Sequence, residues 1–283
     1  MKAIPRRVAN IITPQPVVEG AGVRLNRSIA TRTLDYLDPF LLLDHFQSKN
    51  PADYKAGFPL HPHRGIETVT YLLAGAVRHR DTLGNSGEIG AGDIQWMTAG
   101  RGIMHEEMPQ VRPEGVAGFQ LWVNLPAKLK MTAPRYQNIS AREIPVLRRA
   151  ESATVRVIAG AVDGVAGPIS GIAADPVYLD VELSPHTTFT HPVPHGHTAF
   201  AYVFEGAGRF GAEEQTLVQE PRLVVWSDGD TLEVKTEQVP VRFLLVSGQP
   251  LREPVARYGP FVMNTRAEIE QTLRELEQGT FAT

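Results

Sequence analysis

Apolar positions along the chain fall in short runs or in alternation with polar ones, and glycine or proline closes nearly every run. Alternation with a period of two marks an extended strand buried on one face, because successive side chains of such a strand point to opposite sides. The runs predict strands at Thr68–Leu73, Ile94–Met97, Phe119–Leu125, Thr154–Ala159, Val177–Leu183, Ala199–Phe204, Leu223–Trp226 and Val241–Val246. With 25 glycines and 22 prolines between them, the pattern is that of an all-β protein. One segment alone carries a helical period. Thr265 and Glu268 form a capping box, Ile269, Leu273 and Leu276 make an apolar stripe, and Gly279 stands where a C-terminal cap belongs. A helix over about 265–278 is predicted, with its stripe packed on a sheet.

Between Leu125 and Ala150 the alternation fades, Pro126, Pro134 and Pro145 enter, and six basic residues accompany the single acidic Glu143. This reads as a solvated connecting segment, dividing the chain into residues 1–135 and 136–283. The two halves share a weak repeat. Tyr71-Leu72-Leu73-Ala74-Gly75 precedes Trp96, and Tyr202-Val203-Phe204-Glu205-Gly206 precedes Trp226, with Gly-to-Trp separations of 21 and 20 residues. A duplicated β-barrel unit is the expected cause.

Composition narrows the chemistry. The 283 residues contain no cysteine, which excludes disulfides, thiolate metal sites and a cysteine nucleophile, so any metal must be held by nitrogen and oxygen. A formal net charge of -3, with both signs interspersed, gives no basic field for a phosphate backbone, so direct nucleic-acid binding is not expected. Pro5, Pro14 and Pro16 interrupt the basic N-terminal run MKAIPRRVANIITPQPVV before it reaches the apolar length of a signal peptide, and no later run reaches the length of a membrane span. A cytoplasmic protein without a membrane segment is the expectation.

The candidate chemistry lies in the first half. His61-Pro62-His63 is followed about forty residues later by His105-Glu106-Glu107. On a strand, residues i and i+2 share a face, so His61 with His63, and His105 with Glu107, each form a fork. Two forks on neighbouring strands can close on one ion. Three imidazoles and a carboxylate suit iron, manganese, nickel, copper or zinc, and on a six-coordinate ion they leave two adjacent positions for substrate and a small molecule such as O2. Gly65 follows the first fork and Gly100 and Gly102 precede the second, where tight turns let backbones approach.

The segments HPHRGIETVTYLLAG, GDIQWMTAGRGIMHEEMP, FQLWVNLPAKLKMTAPRYQ and YGPFVMNTRAEIEQ resemble the pirin family of the cupin superfamily. The resemblance covers about residues 20 to 145 and the last thirty residues, while the region from Glu151 to about Gln249 is similar mainly by position. It implies a bicupin, two face-to-face antiparallel cupin β-barrels with a C-terminal helix, iron(II) in the N-terminal barrel, and a monomer. The family's ligands fall on His61, His63, His105 and Glu107. In the wider cupin motif the carboxylate follows the histidine pair by four residues, and here that position is Glu67, which strand parity places on the face of His61 and His63. Glu67 therefore stands beside Glu107 as an alternative ligand.

The second half carries His186, His191, His195 and His197, and no histidine follows. Alignment of Trp226 with Trp96 sets Lys235 and Glu237 against His105 and Glu107, so this half is not expected to repeat the site, and His195-Gly196-His197 reads as a surface fork. Gly206-x-Gly208-x-x-Gly211 leads to a turn rather than a helix and is expected to be a hairpin. The sequon Asn138-Ile139-Ser140 and the pair Arg6-Arg7 lack the context that would give them meaning.

Two function classes follow from the resemblance. The first is an enzyme of the quercetin 2,3-dioxygenase type, an oxidoreductase that opens a flavonol with O2 and releases carbon monoxide. Glu107 would be its catalytic base, and loops near Phe46, Met97 and Met104 would wall the pocket around a phenolic substrate. The second is an iron-dependent regulatory protein that presents a surface to a protein partner, such as a transcription factor or metabolic enzyme.

Overall fold

The computed structural model describes residues 3–149 and 152–282. Strand dominates, every predicted strand is present within a residue or two at most ends, and the helix is Arg266–Glu277. The largest extension is Thr198–Phe210, which continues through Gly206 and Gly208, turns after Phe210 at Gly211 and pairs with Thr216–Gln219 as the expected hairpin. Among the described residues no helix is long and apolar enough to cross a membrane.

The chain forms two compact units, and each borrows one end of the chain from the other half of the sequence. One comprises Gln15–Ala141 with the residues from Leu251 onward, and the other comprises Arg142–Pro250 with the residues up to Pro14. This differs from a sequential division at 135/136, which cuts through the strand Arg135–Ile139. That strand is paired along its length with Ile94–Thr98. Non-local pairing explains the exchange. Val8–Ile12 adds to the edge of Arg222–Trp226, while the helix stripe, led by Ile269, packs on Phe261, Met263 and Phe281.

The first unit contains a seven-stranded antiparallel sheet in the order Arg135–Ile139, Ile94–Thr98, Ile66–Ala74, Val116–Asn124, Phe40–Ser48, Val23–Ile29, Gln15–Glu19. A four-stranded sheet, Phe58–His63, Ile103–Pro109, Ala76–Asp81 and Ser86–Gly90, completes the barrel. A short hairpin, Ala256–Tyr258 with Phe261–Met263, carries the helix. The helix starts as its sequence dictates. Thr265 Oγ1 accepts from the Glu268 amide and Glu268 returns a bond to the Thr265 amide, while Gly279 adopts a φ of 70° just past the C-terminal cap Gln278.

The second unit is built on a ten-stranded antiparallel sheet, and apolar side chains fill its interior. Phe243 packs edge-on against Phe189 and Phe210, with ring centroids 6.1 and 5.6 Å away. Arg6 is a fully buried staple here, donating to the carbonyls of His197 at 2.8 Å, Pro194 at 3.0 Å, and Gly229 and Ser227 at 3.1 Å. Backbone acceptors are thereby satisfied, the Pro194 carbonyl also accepting from the His197 amide at 3.1 Å. The repeat has a structural counterpart, since Gly75, just past its strand, and Gly206, within its strand, both have positive φ, and Trp96 and Trp226 are both buried.

Candidate metal centre

The strand Phe58–His63 runs antiparallel to Ile103–Pro109, with His105 directly opposite His61 and Ile103 opposite His63. Opposite residues of an antiparallel pair share a face, so pairing alone brings three imidazoles together. One ring nitrogen from each of His61, His63 and His105 lies within 4.8 Å of the others. Ring centroids are 4.5 to 5.1 Å apart, and Nε2 of His61 is 3.0 Å from Nε2 of His63. The Pro59 carbonyl, 2.9 Å from Nδ1 of His61, can only accept, so it places a proton on Nδ1 and frees the Nε2 lone pair toward the other rings.

Burial keeps two of these rings, His63 and His105, neutral. Desolvation, then the neighbouring imidazoles, hold His63 and His105 well below the ordinary histidine pKa. Both ring nitrogens of His105 are buried without a hydrogen-bond partner. Buried orphan nitrogens in a cluster of three imidazoles are the donor set of a borderline divalent cation, and the residues fit such an ion.

Past His105 the register slips, so that Glu107 stands opposite Phe58 on one side and His79 on the other. A bulge re-aims the side chain that follows it. Glu107 is not part of the close imidazole group, yet it lines the same cavity as His61 and His63. Its Oε1 is 3.1 Å from the Thr70 hydroxyl, and burial raises its pKa above the usual carboxylate value, against the pull of His61 and Thr70.

Glu67 lies elsewhere. Its Oε1 accepts from Thr98 at 2.7 Å, on the face of the Ile66–Ala74 strand opposite to Thr70, which lines the cavity. The parity expected from His61 to Glu67 fails because the extended strand is interrupted between them. Gly65 turns with φ +77°, and the next strand starts a fresh alternation at Ile66. A Cβ on Gly65 would sit 2.0 Å from the Val262 carbonyl oxygen, so only glycine fits this turn. The turn is tied on both sides. Lys130 Nζ donates to the carbonyls of Gly65 and Val262 and to Asn124 Oδ1 at 2.8 to 2.9 Å. Arg64 reaches Thr272 Oγ1 at 3.0 Å and Glu275 at 2.6 Å on the helix, with its guanidinium 4.6 Å from the centre of the Phe281 ring.

The cavity measures about 410 Å³, within the range of small-molecule sites. Leu25, Leu42, Phe46, Phe58, Val77 and Trp122 supply much of its apolar wall, and Trp122 meets His63 edge-on at 5.1 Å. Phe46 is placed as expected, but Met97 and Met104 are not in the wall. Met97 joins a core cluster with Ile66 and Ile103, and Met104, of opposite parity to His105, packs toward Phe261 and the helix. The polar wall residues Arg27, Asp44, Thr70 and Gln120 belong to no recognisable motif. Their one sequence signal is a polar residue at an inward parity within a mostly apolar strand, as in Phe40-Leu-Leu-Leu-Asp44 and Phe119-Gln120-Leu121.

In the second unit the histidines stay apart. His186 and His195 are exposed, His191 is buried against Phe189, and His195 contacts Asp230 at 3.2 Å and Asp228 at 3.3 Å. Lys235 pairs with Glu233 and Glu237 with Arg209.

Known proteins resemble the chain along nearly its whole length. The family profile described as Pirin matches residues 22–123, and that described as Pirin C-terminal cupin domain matches residues 178–282. A pirin-like protein of Caulobacter vibrioides is 46% identical over 277 residues, covering 98% of this chain and 99% of its own. Pirin of Homo sapiens is 43% identical over 259 residues, covering 90% and 87%. A crystal structure of quercetin 2,3-dioxygenase from Acinetobacter baumannii superimposes with a TM-score of 0.88 at 35% identity, covering 98% of this chain and 99% of that one.

Proposed function

Because the chain belongs to the pirin family and folds as a bicupin, we propose that it is a metal-dependent dioxygenase that cleaves a flavonol such as quercetin, inserting both atoms of O2 and releasing carbon monoxide. The observation that carries this reading is the trio of convergent imidazoles, two of which, His61 and His63, line a largely apolar cavity that also holds a buried carboxylate. His61, His63, His105 and Glu107 would hold the metal, iron(II) in first place. When bound, the ion acts as a Lewis acid that lowers the pKa of the flavonol 3-hydroxyl and favours its meeting with O2.

The remaining work falls to side chains. Glu107, whose burial makes it a stronger base than an exposed carboxylate, takes the 3-hydroxyl proton, and Thr70 fixes the carboxyl oxygen that does so. Trp122, Leu42 and Phe46 flank a planar ring and exclude water from the reacting face. The Pro59 carbonyl keeps His61 in the tautomer that points Nε2 inward.

The test is oxygen uptake by anaerobically iron-loaded protein given quercetin, beside apo-protein and Glu107→Gln, with metal content measured on each. Uptake that requires iron and is lost in Glu107→Gln while metal remains bound supports the reading. Retained turnover in that variant removes the base from Glu107. A fully loaded site without uptake overturns the enzyme reading in favour of an iron-dependent surface for a protein partner.

A further inference from the structure

Thr70, Gln120, Asp44 and Arg27 occupy directly opposite positions on four consecutive strands, paired Thr70 to Gln120, Gln120 to Asp44 and Asp44 to Arg27. All four line the cavity, as does Glu19. They form one polar row across an otherwise apolar floor. At one end the Thr70 hydroxyl bridges Glu107 at 3.1 Å and Gln120 at 2.6 Å. At the other, Arg27 holds Asp44 through two parallel bonds of 2.8 and 2.7 Å and reaches Glu19 at 2.7 Å. Three steps of about 4.8 Å between strands carry the row about 14 Å along the sheet from Thr70 to Arg27. Trp122 faces Leu42 on one flank, and Phe46 stands on the other.

We infer that this row is a recognition strip for the hydroxylated end of a planar aromatic substrate, with the reacting end at the histidines. The inference rests on the flavonol reading above and adds which ring substituents the cavity selects. An ionised carboxylate has about four acceptor positions, and Arg27 occupies two of those on Asp44. The others remain for hydroxyl donors, and two adjacent hydroxyls on one ring match a carboxylate that Arg27 holds rigid. The strip is not an anion site. Arg27 is committed to two carboxylates, and Arg257, which also lines the cavity, donates to the Leu41 carbonyl at 3.1 Å and lies 5.2 Å over the Trp122 ring. With two cations and two carboxylates the strip is balanced, and it offers acceptors rather than a spare positive charge.

The experiment is calorimetric titration of the isolated protein with three probes. These are quercetin, galangin, which lacks the two vicinal hydroxyls of quercetin's pendant ring, and a galangin analogue carrying a carboxylate on that ring. The expected result is quercetin binding about tenfold tighter than galangin, the factor of one charge-assisted hydrogen bond of about 1.4 kcal/mol, and the carboxylate analogue binding most weakly. Gln120→Leu and Glu19→Gln, which do not alter either member of the Arg27–Asp44 pair, should weaken quercetin more than galangin and so narrow the preference. Asp44→Asn should abolish it, with circular dichroism as the check on folding. Equal affinities for quercetin and galangin, equal losses for both in the variants, or tightest binding of the carboxylate analogue would each overturn the strip while leaving the dioxygenase reading standing. If none of the three binds, the flavonol reading fails and the strip with it.

Discussion

Lys130 offers a quantitative check on how the turn behind the histidine fork is held. Its ammonium is buried at 1% exposure, and its three protons match three acceptors, the carbonyls of Gly65 and Val262 and the side chain of Asn124. Desolvation outweighs Glu253 and Glu268 and lowers its pKa from 10.5 to about 8. Below pH 8 both the folded and unfolded chains carry this proton, and stability is insensitive to it. Between pH 8 and 10.5 the unfolded chain binds more protons than the folded one, so stability rises with pH. The interval from about 8 to 10.5, at about 1.4 kcal/mol for each pH unit, amounts to about 3.5 kcal/mol as an upper value. Other groups titrate in the same range, so the observable is the difference between wild type and Lys130→Met in urea unfolding at pH 7, 8, 9 and 10. The wild type should gain about 2 to 3 kcal/mol relative to the variant across that range, while at pH 7 the variant loses the three hydrogen bonds. Parallel pH profiles for the two proteins would refute the argument, because a lysine that titrates normally in the folded state has no such linkage.

Two further outcomes follow from the site. His105→Ala should lower metal content and remove the rise in melting temperature that metal gives the wild type, a stabilisation of about 2.7 kcal/mol when free metal is 100-fold above its dissociation constant. Unchanged metal stoichiometry by plasma emission analysis would refute its role as ligand. Gly65→Ala introduces a Cβ 2.0 Å from a carbonyl oxygen at a φ of +77°, and should cost about 2 kcal/mol or more, seen as a melting point lower by about 4 to 8 °C. A melting curve matching the wild type would show that the turn relaxes freely.

The features legible in the sequence are those set by neighbours in the chain. His61 with His63, and His105 with Glu107, are spaced as strand forks, and the structure places them on adjacent strands, with His105 against the other two imidazoles and Glu107 lining the cavity beside His61 and His63. The helix cap is equally local, because its partners Thr265 and Glu268 are three residues apart. Glu67 shows where this reasoning stops, since alternation carries across six residues only if the backbone stays extended, and Gly65 breaks it. The polar floor of the cavity was out of reach for another reason. Its members come from four strands spread between Arg27 and Gln120, and only the sheet's register sets them in a row. The terminal exchange is hidden likewise, because edge-strand addition by Val8–Ile12 leaves no pattern in either partner.

That exchange decides what can be cut out of this chain. Arg64, next to the histidine fork, and Thr272, on the helix that steadies it, are separated by 208 residues, and the whole of Arg142–Pro250 is made between them. A fragment ending near residue 135 would contain His61, His63 and His105 but would lack the partner for Arg64, the Val262 acceptor for Lys130 and the apolar cover of Phe281. A fragment starting there would in turn lose the edge strand Val8–Ile12 and the buried staple Arg6. Such halves are poor stand-ins for the intact protein, and on the ribosome the histidine turn is fastened only after its distant helix has been synthesised.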